Sequence, residues 1–278
     1  MEEKVLTLKV LNPHPRDKRI RFVQKIKHPD GTVERAHYFE VDGVKWMSPS
    51  FTGIVKIYYP YRPDNQGKDE DYLRIQKNMF QKLADFGSMN HLHYHRWLNG
   101  KSFKFQPEFP EFNTYESLPT WRNFQRFLDE LAPYWKVFRT EVPIFSTPIH
   151  SAGVYDAVFR DMRYTDKIVL MVVDWKVQQR PSSYPPCTCK TRSKFPMDHS
   201  PICNSVGGHP LTRSDFNYKY HSGSLQVSLV ATVLESHYDA EVSECRVAFL
   251  FQDHYLNWHV DRELYEPQLS DFINSKKK

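Results

Sequence analysis

The chain has 278 residues, 40% hydrophobic and 26% charged, which suits a globular protein with its own core and excludes a disordered or fibrous chain. No apolar run approaches the roughly 20 residues that span a bilayer, and the opening Met1-Glu2-Glu3-Lys4 resembles neither a signal peptide nor a transit peptide, so the expected location is intracellular. A net charge of +5 permits a polyanionic partner without requiring one, and the four cysteines are too few for a disulfide framework.

Val5–Val10 alternates at period two and predicts a strand. His28-Pro29-Asp30-Gly31 is a turn signal, and Ala36–Val41 is a further strand candidate. Tyr72, Ile75, Met79, Leu83 and Phe86 recur at three- and four-residue spacing, which predicts a long helix. Trp121, Phe124, Leu128, Leu131 and Trp135 form the stripe of a second helix, with Thr120 as its N-cap. After Pro133 the period changes to two. Strands are expected at Val137–Val142, Val154–Phe159 and Ile168–Val173, the last apolar throughout, as befits a strand covered on both faces. Residues 177–221, rich in Pro, Ser, Cys and Lys, are too long for a simple connection and read as an insertion, a lid or a loop. Leu225, Leu229, Val233 and His237 mark a helix, and Val247–Phe251 a fourth strand. A short amphipathic helix and three lysines close the chain. The expected fold class is α/β, a mixed sheet flanked by helices. Residues 1–118 would be a strand-rich and helical extension packed on a core of residues 119–278, ordered helix, three strands, helix, strand.

Chemistry concentrates at Asp174-Trp175-Lys176, where the third core strand ends. One intervening residue places the carboxylate and the ammonium on the same face of a strand. Charges at the rim of a core cost free energy unless they are paired or bind something. Asp156 stands on the preceding strand, in Gly153-Val154-Tyr155-Asp156, and a hairpin would set it beside Asp174. Two adjacent carboxylates repel unless a cation lies between them. A hard divalent ion, Mg²⁺ or Mn²⁺, answers that need. Glu141 could supply a third oxygen, and Lys176 would act on a water or offset charge on a phosphate. Metal-assisted phosphodiester hydrolysis is the reaction class that follows.

Gly-x-x-Asp, an apolar strand and Asp-x-Lys, set in that order of elements, resemble the PD-(D/E)XK nuclease superfamily, most closely its RecB-type and lambda-exonuclease-like branch. Gly87-Ser88-Met89-Asn90-His91 is similar to that branch's Gly-Thr-x-x-His helix motif. Gln226 falls where the branch carries a Gln-x-x-x-Tyr glutamine, and Pro49-Ser50-Phe51-Thr52 is similar to its Ser-Val-Thr element. Three positions depart: Tyr155 replaces the motif proline, His95 stands where Glu is common, and Val230 replaces the tyrosine. The resemblance implies a restriction-endonuclease-like core and a Mg²⁺-dependent DNA nuclease working from strand ends in replication, recombination or repair. It implies His91 as a further metal ligand and Gln226 as a positioning group. A catalytically inactive nucleic-acid-binding relative, or a nuclease of RNA, remains the competing reading.

Weaker signals remain. His91 and His95 share a helix face at i, i+4, a metal-binding spacing. Cys187, Cys189, His199 and Cys203 have the residue types of a zinc site, but Cys-x-Cys is not its usual spacing. Lys190, Arg192, Lys194 and Arg213 make the same insertion basic and suited to phosphates.

Overall fold

The computed structural model describes residues 8–23, 26–27, 33–34, 38–46, 50–58, 70–177 and 210–275. The expected turn at residues 28–31, and Cys187, Cys189, Lys190, Arg192, Lys194, His199 and Cys203, lie outside the described residues. So does the side chain of Arg213.

The architecture is mixed α/β, built on a five-stranded mixed sheet. Its strands are β6 (Trp135–Ser146), β7 (Ser151–Asp161), β8 (Val169–Val177), β9 (Glu241–Leu250) and β10 (Tyr255–His259), in spatial order β10-β9-β8-β7-β6. The pairs β6–β7, β7–β8 and β9–β10 are antiparallel, while β8–β9 is parallel. A parallel neighbour needs a long crossover, and helix α5 (Pro210–His237) is described within it. Helix α4 (Trp121–Leu131) precedes β6. The order helix, three strands, helix, strand is therefore present.

Alternation along β8 divides the core. Leu170 and Val172 belong to one buried cluster, with Leu225, Leu229 and Val233 of α5. Met171, Val173 and Trp175 belong to the other, with Trp121, Phe124 and Phe127 of α4 and with Phe86 and Met89 of helix α3 (Glu70–Leu98). This second cluster joins residues on both sides of position 118. Trp175 is its hub, meeting Tyr94, Phe124, Phe127 and Phe159 edge to face.

A three-stranded antiparallel sheet precedes the core: β1 (Ile20–Val23), β4 (Tyr38–Val41) and β5 (Val44–Trp46), in order β1-β4-β5. Asp42-Gly43 joins β4 to β5, both residues at positive φ (52° and 77°), the two-residue hairpin turn that Asp-Gly favours. Ile20, Phe39 and Val41 pack on Phe145 and Ala152 at one end of the β6–β7 hairpin. Two-residue strands β2 (Ile26–Lys27) and β3 (Val33–Glu34) pair separately. Helix α2 (Phe51–Tyr58) follows, with Ser50 Oγ accepting from Gly53 N at 3.2 Å. Helix α6 (Glu266–Ser275) ends the described chain.

Four expectations need correction. The described part of the Val5–Val10 strand is helical, as α1 (Leu8–Leu11). Leu8 N donates to Asn99 Oδ1 (3.0 Å) and Asn12 Nδ2 to Phe138 O (2.8 Å), so tertiary partners override a short alternating run. Thr120 makes no side-chain cap, because its hydroxyl is committed to Asn90 and Tyr94. Trp135 opens β6 instead of closing α4. Residues 210–221 of the expected insertion are the start of α5. No described helix is long and apolar enough to cross a membrane.

Candidate metal centre and active site

Pairing between β7 and β8 runs from Arg160↔Leu170 to Ala157↔Val173. One step further, Asp156 and Asp174 would face each other, but the ladder ends there. Asp156 fills the gap. Its Oδ2 accepts the Trp175 backbone N–H at 2.7 Å, which β8 no longer offers to β7. Its Oδ1 lies 3.3 Å from His91 Nδ1. The two carboxylates foreseen on neighbouring strands thus occupy the point where those strands part.

Glu141 sits across β6 from Asp156, between the pairs Thr140↔Ala157 and Val142↔Tyr155. Its φ is +49°, a left-handed conformation that costs an L-residue roughly 1–2 kcal/mol. Strain of this kind gathers at functional sites, and here it falls on the residue that completes a cluster. Ligand atoms of His91, Glu141 and Asp156 lie within 4.8 Å of one another. Asp174 is outside that trio. It is 4% exposed, and its Oδ2 pairs with Lys176 Nζ at 2.6 Å. The alternation that buries Trp175 on the opposite face sets Asp174 and Lys176 together.

The charges perturb one another. Burial opposes a charge on His91, but Asp156, Glu141 and Asp174 outweigh it and raise its pKa to about 9. Burial and the Asp156 charge push Glu141 up to about 8, against the pull of His91. Burial lifts Asp174 to about 6, with Lys176 opposing and Asp156 assisting. Asp156 moves down despite its burial, held by His91, Lys176 and the Trp175 N–H. An unbalanced group of carboxylates is crowded here, the electrostatic condition that a cation relieves.

Helix α3 presents His91, and buried hydrogen bonds hold that helix in place. Thr120 Oγ1 donates to Asn90 Oδ1 (2.9 Å) and bonds to the Tyr94 hydroxyl (2.5 Å), tying α3 to the start of α4. His95 does not join His91. Its Nδ1 bonds to Thr140 Oγ1 at 2.8 Å, which Asn99 Nδ2 also reaches at 2.8 Å. The residue adjoining Glu141 is thereby tied to α3.

Two grooves meet at His91. One, of about 660 Å³, is lined by Ser88, His91, His95, Glu141, Val154 and Asp156. The other, of about 310 Å³, is lined by Lys56, His91, Trp175, Lys176, Ser222 and Gln226. The foreseen Gln226 thus shares a groove with Lys176 and His91. Helix α5 approaches closely because Gly223 has no side chain: a Cβ there would lie 3.2 Å from Asp174 Oδ2. Thr52 belongs to the Pro49–Thr52 element singled out from the sequence, whereas Lys56 and Ser222 were not singled out. The signal for Lys56 was that element, which opens α2 and carries its next turn to the groove.

No protein-family model matches the sequence, and no curated protein matches it.

Proposed function

We propose that the chain is a metal-dependent nuclease with a PD-(D/E)XK core, hydrolysing phosphodiester bonds in DNA. The observation that carries this reading is the meeting of His91, Glu141 and Asp156 within 4.8 Å, beside the Asp174–Lys176 ion pair. The donor set fits a divalent cation. Two carboxylates suit Mg²⁺ and Mn²⁺, and the imidazole nitrogen tilts the set toward Mn²⁺. His91, Glu141 and Asp156 would hold the ion, with Asp174 alongside. Such an ion supplies a Lewis acid that polarises the phosphoryl group.

The chain's own residues account for the rest. Asp156 Oδ2 is fixed by the Trp175 N–H, which leaves Oδ1 to face His91. Asp174 holds the Lys176 ammonium at the groove, where it offsets negative charge growing on the phosphate. Gln226 faces the same groove and orients the attacking water or the strand. Attack from a strand end is the activity that the family resemblance implies.

The test is incubation of labelled single- and double-stranded DNA with Mn²⁺, with Mg²⁺ and with EDTA. Cleavage is expected with either ion and not with EDTA. Lys176→Ala should slow it by about 10²–10³, the loss typical of one charge-stabilising group. Cleavage that survives EDTA or Asp174→Ala would place the active site elsewhere. Binding without cleavage in any metal would make the chain a binding relative. Oligonucleotides blocked at the 5′ or 3′ end report polarity.

A further inference from the structure

We infer that the small N-terminal sheet and helix α2 form a guide groove for single-stranded DNA, which delivers an unpaired strand to the candidate metal centre. This rests on the nuclease reading for its purpose, but not for its evidence. A third groove, of about 650 Å³, is lined by residues of β1, β4, β5, α2 and β7. Phe22, Tyr38 and Trp46 line it, together with Lys45 and Lys56. Val154 lines both this groove and the one holding Glu141 and Asp156. Thr52 and Lys56 line both this groove and the one holding Lys176 and Gln226. The path is therefore continuous with both halves of the candidate site.

The chemistry of the lining selects the occupant. Both lysines are exposed, so their charge is available to a phosphate backbone at little desolvation cost. The rings are held in set orientations: Phe22 stacks on Phe39 with centroids 4.7 Å apart, and Trp46 on His150 at 4.5 Å. Lys45 Nζ sits 4.5 Å from the centre of the Tyr38 ring. Rings and cations lining one groove are what sequence-tolerant single-strand binders use, since every unpaired base has a face to stack. A duplex offers its phosphates but keeps its base faces covered, so it would use the lysines and not the rings. A small inorganic anion such as sulfate would likewise leave the rings unused.

The test is binding by the full chain in EDTA, so that cleavage plays no part. The probe is a fluorescent 15-mer of dT, with a blunt 15-base-pair duplex for comparison, read by anisotropy across a salt series. The dT strand should bind more tightly than the duplex. Lys45→Glu with Lys56→Glu should weaken dT binding tenfold or more and flatten its salt dependence. Trp46→Ala should weaken it on the order of tenfold while leaving the salt slope in place, because stacking releases no counterions. Tyr134→Ala, exposed and distant in the chain, should change nothing. Should Trp46→Ala loosen the small sheet, ultraviolet crosslinking of an iodouracil-substituted strand to the unmutated chain gives a second readout, with crosslinked peptides expected at Tyr38 or Trp46. Equal binding by the lysine double variant, tighter binding of duplex than of dT, or crosslinks confined to other segments would overturn the proposal. The two readings separate cleanly: groove-dependent binding without cleavage in any metal sinks the nuclease and leaves the guide groove standing. Metal-dependent cleavage with binding indifferent to these variants does the reverse.

Discussion

Gly153 stands three residues before Asp156, and the structure shows why a side chain is excluded there. An added Cβ would lie 2.2 Å from Phe51 Cδ2, 2.5 Å from Cγ and 2.9 Å from Cβ. Carbon atoms settle at about 3.5–4.0 Å, so each overlap is severe. The contact reaches the root of the Phe51 side chain, so no rotation of a flexible tip relieves it. Phe51 is 1% exposed and packed with Ile54, Val55 and Ile144. Helix α2 would have to move. Gly153→Ala should therefore cost about 1–3 kcal/mol or more, the usual range for forced overpacking. Phe51→Ala alone should cost about 3–5 kcal/mol. If the clash is the cause, most of the Gly153→Ala penalty should disappear in the Phe51→Ala background, where only the 2.9 Å contact with the residue-51 Cβ remains, giving a coupling energy that is a large part of the penalty. Urea unfolding of the four proteins measures this. A Gly153→Ala penalty under about 0.5 kcal/mol, or the same penalty in both backgrounds, would show that close helix approach does not explain this glycine.

Three further outcomes follow from the same packing. His93 is fully buried, stacked on Phe103 at 3.9 Å, with no hydrogen-bond partner for either ring nitrogen among the described residues. Burial and Arg96 push its pKa down to about 4 from 6.5. The unfolded chain then binds more protons between those values, so stability present above pH 6.5 is lost as pH falls toward 4. At pH 5 the loss is about 2 kcal/mol. His93→Phe should remove that part of the slope, and an unchanged slope in unfolding measured from pH 8 to 5 would contradict the assignment. The buried pair Arg139–Asp17 (2.7 Å, side chains 4% and 8% exposed) should make Asp17→Ala cost about 3–5 kcal/mol, because the guanidinium is left unpaired; a loss below 1 kcal/mol by chemical denaturation would refute this. His91→Ala should weaken Mn²⁺ binding more than Mg²⁺ binding, since it removes the nitrogen donor. Calorimetric titration with each metal alone checks this, and equal losses for both ions would take His91 out of the ligand set.

Local pattern in the sequence determined much of this protein. Period-two alternation marked β6 and β7, short unbroken apolar runs marked β8 and β9, and three- and four-residue spacing marked α3 and α4, because those periods are properties of the backbone itself. The same rule set Asp174 and Lys176 on one face of β8 with Trp175 on the other. Asp42-Gly43 was a legible hairpin signal, and β5 could have been read from it. β10, with its half-buried residues, carried no clear pattern of its own.

Only the tertiary structure decided which side chains meet. Histidines at 91 and 95 have the same helical phase, yet one faces Asp156 and the other is tied to Thr140. Asp156 and Asp174 are symmetric in the sequence pattern. In the fold, one joins Glu141 and His91, while the other is paired with Lys176. The groove proposed to guide a strand likewise joins segments from residue 22 to residue 154. Such meetings depend on strand register, on the point where β7 and β8 part and on a left-handed residue at Glu141. These are long-range or singular features that no local period encodes.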